Sequence, residues 1–142
     1  MIKLKKDERY LKLQPWSLQC DEIVTERFEN TYDMINYHVE GLIERLPYFQ
    51  EFNERDIDIW INEEGKLINL PPTAVVVDKE SQKILDVIHG SWVFAKHDGS
   101  GETVPLNAKE QQFILCYFAT KEIVYLTDKR TGKKKEVFKI EI

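Results

Sequence analysis

A chain of 142 residues has the length of one domain with one core, and 42% hydrophobic against 32% charged residues excludes both a disordered chain and a membrane-spanning one. The formal charge of −5 is unevenly laid out: residues 20–64 hold thirteen acids and three bases, a net of −10, whereas residues 1–19 (five bases, two acids) and 121–142 (seven bases, four acids) are each +3. The acidic stretch reads first as a solvated face, and second as a surface for a basic partner.

The N-terminal MIKLKKDERY has bases but no apolar run or cleavage site behind them, which predicts a cytoplasmic protein. RYLKLQ alternates as an early strand. Cys20, far from Cys116 and in no CxxC pair, is expected to be a free thiol, as is Cys116. FENTYDMINYHVEG predicts a helix capped by Asn30 and stopped at Gly41, with Met34, Ile35, His38, Val39 and Leu42 inward. LIERL reads as a short strand leaving it. DIDIWIN alternates strictly, with Ile57, Ile59 and Ile61 on one face and Asp56, Asp58, Trp60 and Asn62 on the other. Asn62-Glu63-Glu64-Gly65 then fits a type I turn with a glycine bulge, so NEEGKLINLPPT is expected to be a hairpin tip with Gly65 at positive φ. TAVVVD and KILDVIHGSWVFAK are β-rich runs, HDGSG is a loop, and ETV resumes a strand. LNAKEQQFILCYF is a helix with Asn107 as cap, Glu110 completing a capping box, and Phe113, Ile114, Tyr117 and Phe118 as its stripe. EIVYLTDKRTGKKKEVFKIEI closes the chain as a hairpin over 121–142. The expected architecture is α+β: a single domain over 1–142, with a largely antiparallel sheet of about six or seven short strands and two helices packed on it.

The ordered set NTYDMINYHVEG, WINEEGKLINLPPT and ILDVIHGSWVFAK resembles an uncharacterised phage and plasmid family, domain of unknown function 3846, over roughly residues 30–118. The resemblance rests on Gly41 to Glu44, Asn62 to Leu67, Leu70-Pro71, and Asp86, Ile88 and Gly90. It implies a mobile-element origin and no established catalytic residues. Two departures stand out: Pro72-Thr73 follows Leu-Pro where the family usually has Asn, and the C-terminal basic hairpin looks like an addition that could hold this protein's own specificity.

Candidate chemistry is sparse. His38, among Ile35, Val39 and Leu42, reads as a structural histidine. His89 is followed by Gly90-Ser91, but strand alternation and the glycine argue against a His-Ser pair. No nucleophile elbow or Cys-His constellation is visible, so no catalytic residue is assigned. HDGSGE fails as a calcium loop, because Gly101 at the sixth position puts Lys96 first and Asn107 twelfth, where carboxylates are required; no metal or cofactor is expected. It also lacks the Lys-Ser/Thr and following helix of a phosphate loop.

Two surfaces remain. Asp56, Asp58, Trp60, Glu63 and Glu64 form a candidate protein-interaction row, since an exposed tryptophan among acids suits a binding hot spot, unless an added helix covers the face. Lys129, Arg130, Lys133, Lys134 and Lys135 crowd one hairpin tip that could touch phosphates, although the tip has no aromatic of its own for stacking and edge lysines also discourage aggregation. The expected function is therefore a non-enzymatic binding module that takes a host or element-encoded protein with a basic surface, with a role in countering host defence. A nucleic-acid accessory protein using the basic hairpin is the alternative, as is a small enzyme or small-nucleotide-sequestering protein using carboxylates beside Trp60 and His89.

Overall fold

The structure is a computed structural model and describes residues 2–142. Among the described residues ten short strands form, some alternating like Lys134–Glu141 and others buried on both faces like Pro72–Val77, and the chain distributes them between two sheets. In order come β1 (Leu11–Leu13), β2 (Cys20–Glu22), α1 (Thr31–Val39), β3 (Ile43–Arg45), α2 (Gln50–Asn53), β4 (Ile57–Asn62), β5 (Pro72–Val77), β6 (Ile84–His89), β7 (Trp92–His97), β8 (Thr103–Val104), α3 (Ala108–Ala119), β9 (Glu122–Thr127) and β10 (Lys134–Glu141). The first sheet runs β2-β1-β7-β4-β3 with β8 on β7, and the second runs β6-β5-β10-β9. Every pairing is antiparallel except β5 with β10. The class is thus α+β and largely antiparallel as expected, but with two sheets and a third helix.

The two sheets share one core. Leu13, Ile57, Ile59, Ile61, Trp92 and Phe94 of the first meet Ala74, Val76, Ile88, Phe138 and Ile140 of the second, with Phe49, Phe52, Ile114 and Phe118 filling the space between. Helix α3 begins as its sequence dictates: Asn107 accepts from the Glu110 backbone N–H, and the Glu110 carboxylate accepts from the Asn107 N–H. Helix α1 covers the opposite face of the first sheet, where Met34, Ile35 and Val39 pack with Tyr10, Val93 and Ala95. Strand β4 is consequently buried on both faces rather than one.

KILDVIHGSWVFAK is β-rich as expected, and it divides into two strands in different sheets, because the chain crosses at Gly90 (φ +87°) from β6 to β7. Two expectations are corrected. Helix α1 ends one residue early, with Glu40 in the left-handed conformation (φ 66°), and Leu42 is exposed. NEEGKLINLPPT is not a hairpin tip: β4 and β5 lie in different sheets. Residues 63–70 instead form a single helical turn. The Asn62 side chain caps it by accepting from the Glu64 N–H at 2.7 Å. Asn69, at φ 54°, closes it, with Asn69 N–H donating to Lys66 O (3.2 Å) and Leu70 N–H to Gly65 O (3.0 Å). This is a Schellman motif, and Asn tolerates the left-handed position that Gly65 was expected to occupy.

Among the described residues no helix is long and apolar enough to cross a membrane. Cys20 and Cys116 are free, and burial pushes the Cys20 thiol up to about 12, which keeps it protonated and unreactive.

Candidate functional site: a cleft where strands change sheets

The chain passes between the sheets at residues 62–72 and again at 89–92, and the two crossings are clamped together. His89 Nδ1 lies 2.7 Å from Leu70 O, and Gly90 N–H donates to Pro71 O at 2.8 Å. The Thr73 hydroxyl donates to Gly90 O, and a Cβ on Gly90 would come within 2.9 Å of Leu70 Cδ1. The Leu-Pro segment is therefore a fastening for the crossings. Since a carbonyl can only accept, His89 carries its proton on Nδ1, and in the neutral ring Nε2 is an acceptor.

Beside the clamp, with His89 common to both, lies a cleft of about 340 Å³, lined by β3 (Glu44), the helical turn, Tyr48 and β6 (Asp86 to His89). A second lobe of about 380 Å³ shares Lys66, Val87 and His89 with it and reaches Asn69 and Lys129. Of the positions that carry the family resemblance, Glu44, Asn62 to Leu67, Asp86 and Ile88 line the first lobe, brought together from more than forty residues of sequence.

Asp86 is the hub of this cleft. Lys66 pairs with it, the Tyr48 hydroxyl donates to it at 3.1 Å, and its own strand contributes the Val87 N–H at 2.8 Å. Partial burial pushes the Asp86 carboxyl up, but these donors outweigh that and hold it below the usual carboxylate range; the same bond raises the Tyr48 phenol. Neither shift moves a group toward neutrality, where a general acid or base works best. Glu44, Glu63 and Glu64 also line the cleft, are exposed, and have no ion-pair partner among the described residues. The rim carries apolar surface as well, with Leu67 82% and Tyr48 41% exposed.

The expected interaction row does not survive as one surface. Asp58 is buried, accepts from Arg45 Nε at 3.0 Å, and lies 3.1 Å from His97 Nδ1. His97 Nε2 is 3.3 Å from Asp56, so that one imidazole bridges the two aspartates. Trp60 is half-buried against the cluster beneath α1, with its indole N–H buried and unpartnered, and it does not line the cleft with His89. The helix over this face covers Trp60 in part. Only Glu63 and Glu64 of the row reach the cleft, joined by Tyr48, Lys66 and Asp86, which the sequence reading did not single out as functional. Among the described residues no group of three or more His, Cys, Asp and Glu side chains is placed to hold a metal ion.

At the other expected surface, Lys129, Arg130, Lys133 and Lys134 are exposed at the β9–β10 tip. Lys135 is not free: its ammonium donates to Glu136 O at 2.8 Å, and burial lowers its pKa. The tip also has an aromatic neighbour that the sequence hides, because Trp16 lies under the Arg130 guanidinium at 4.9 Å.

The molecule is thus an α+β domain of two sheets with an acid-rimmed cleft at their junction. It belongs to the family described as domain of unknown function (DUF3846), whose profile matches residues 17–119. No curated protein and no solved structure matches the chain.

Proposed function

We propose that the protein is a non-enzymatic binding module that receives a basic segment of a protein partner in the cleft at the sheet junction. The observation that carries this is the set of three carboxylates, Glu44, Glu63 and Glu64, left without cationic partners around a cavity of about 340 Å³. Lys66 is committed to Asp86, so the lobe has a net negative field that an arginine or lysine side chain would complement. Exposed Tyr48 and Leu67 offer the stem of such a side chain apolar surface, and an aromatic ring suits a guanidinium in particular. The rigid clamp between Leu70-Pro71 and His89-Gly90 pre-forms the site, which lowers the entropic cost of binding. A partner encoded by the host or by a mobile element, and a role in countering host defence, complete this reading; the sequence resemblance to a phage and plasmid family is their support.

Isothermal titration with short arginine-containing, acidic and neutral peptides, and with mononucleotides, tests the proposal. Arginine peptides should bind with micromolar to millimolar Kd, weaken as salt rises, and lose at least about tenfold in affinity in a Glu44→Gln/Glu63→Gln/Glu64→Gln variant. Indifference to peptide charge would overturn it. A preference for mononucleotides would transfer the cleft to the nucleotide-sequestering reading.

A further inference from the structure

The β9–β10 hairpin extends beyond the core, and its tip is a well-formed turn. Asp128 is buried, its backbone accepts from Gly132 N–H at 2.7 Å, and its carboxylate accepts from Arg130 N–H at 2.9 Å. The turn holds Lys129, Arg130 and Lys133 outward in a fixed arrangement. Strand alternation puts Lys134 and Tyr125 on the same face of the hairpin as Ile123 and Phe138. Toward the core, that face borders a groove lined by Leu18, Ile123 and Phe138. The loop that delivers Leu18 also delivers Trp16, which reaches outward to Arg130. Trp16 is 65% exposed and Tyr125 63%, whereas Trp92 is buried and Trp60 half-buried.

Two independent features therefore converge. Lys129, Lys133 and Lys134 make no ion pair among the described residues, and Arg130 reaches only Asp128, at 3.8 Å. A large aromatic is left in water beside them, supplied from a segment more than a hundred residues away. Charge complementarity calls for a polyanion, and exposed aromatic faces call for unpaired bases, which stack on them with little sequence preference.

We propose that this face is a second binding site, separate from the cleft, for single-stranded nucleic acid: Trp16 and Tyr125 stack bases, while Lys129, Arg130, Lys133 and Lys134 contact phosphates. Arg130 does both, since its guanidinium lies over one side of the indole and its side chain is exposed. The acidic stretch of the chain limits affinity, and the site acts as an accessory contact rather than a tight, sequence-reading one.

The test uses the full chain with end-labelled twenty-nucleotide oligo-dT and oligo-rU, a labelled duplex of the same length, and labelled poly-glutamate, with affinity read from the anisotropy of the label between about 50 and 200 mM salt and tryptophan fluorescence followed in parallel on the parent. Single strands should quench the exposed tryptophan, with affinity falling as salt rises. Trp16→Ala should weaken binding by about tenfold while leaving the salt slope in place. Arg130→Gln/Lys133→Gln/Lys134→Gln should flatten the slope. Thermal melts of both variants should match the parent, because the substituted side chains are exposed, and both should retain binding of arginine peptides at the cleft, which separates failure here from failure there. Binding of duplex or poly-glutamate as tight as that of single strands would overturn the proposal, as would absence of quenching or a Trp16→Ala affinity equal to that of the parent. Equal poly-glutamate binding would point to an acidic protein partner instead.

Discussion

His38 is held neutral by where the fold puts it. Burial, followed by the charges of Lys12 and Arg27, lowers its pKa from 6.5 to about 4. Between those values the unfolded chain takes up a proton that the folded chain refuses, so stability is highest above pH 6.5 and is lost as pH falls toward 4. The contribution is on the order of 2 kcal/mol once the partial exposure of the ring is allowed for. Urea midpoints measured at intervals through that window should fall with pH in the parent and stay flatter in His38→Gln; parallel curves would show that His38 has no such role. Asp86 contributes a separate limb of opposite origin, since its depressed pKa costs stability only when pH drops below the usual 3.8. Glycines make a second contrast at this scale. Gly65 has an ordinary φ, and a Cβ there would meet His89 O at 3.1 Å, a tight contact that a small shift relieves. Gly90 combines φ +87° with a 2.9 Å approach to Leu70. Gly90→Ala should therefore cost about 1 kcal/mol or more and exceed Gly65→Ala in thermal melts; the reverse order would return the positive-φ role to Gly65.

At the scale of elements, the family match and the fold disagree about where the domain ends. The match stops at residue 119, yet β10 lies between β5 and β9, and Val137, Phe138 and Ile140 are buried. Far from being an appendage, the C-terminal hairpin supplies half of the second sheet, and without it β5 and β6 would be a two-stranded ribbon with an open core. A chain ending at residue 119 should fail to fold cooperatively, and Phe138→Ala alone should cost about 3–5 kcal/mol in denaturant titration; a truncated chain with a parent-like melt would refute this. Local chemistry was legible here: the Asn30 and Asn107 caps, the closing hairpin, and the Asp98 loop all follow from side chains bonding their own backbone. The partition into two sheets was not, because period-2 alternation reports which side of a strand is buried and not which sheet it joins. For that reason the β-rich run over β6 and β7 does not announce that its two strands lie in different sheets. Asn62 misled because one side chain can open a turn or cap a helix, and only Asn69, seven residues on, decides between them. The cleft was illegible for a related cause: Asp86 meets Lys66 and Tyr48 across 20 and 38 residues of chain. Glu63 and Glu64 were visible as exposed acids, whereas Asp58 is engaged by Arg45 and His97, 13 and 39 residues away, and Trp60 is half-covered by a helix that no local pattern places over it.

For the whole molecule, the decisive fact is that the largest core belongs to both sheets at once: the first has a second cluster beneath α1, but the second has no comparable core of its own. The inner faces of both contribute to one cluster with α3, and Phe118 touches Trp92 and Phe94 of the first sheet and Phe138 of the second, at ring-centroid separations of 5.7, 5.7 and 5.1 Å. The outer face of the second sheet adds only Val75, Val77 and Val137 with partly buried neighbours, too small a set to sustain four strands independently. The two sheets should therefore unfold together even though the chain visits them alternately. Trp92, fully buried in the first sheet, reports on one, and amide exchange in β5 and β10 reports on the other. Ile140→Ala, a substitution confined to the second sheet, should cost about 2–5 kcal/mol and lower protection in β4 and β7 by the same free energy as in β5 and β10. Urea transitions followed by Trp92 fluorescence and by far-ultraviolet circular dichroism should coincide. Loss of protection limited to β5, β6, β9 and β10, or a fluorescence transition that lags the circular dichroism, would show two separable units. Coincidence ties the cleft to global stability, since its walls come from both sheets and persist only while the two remain docked.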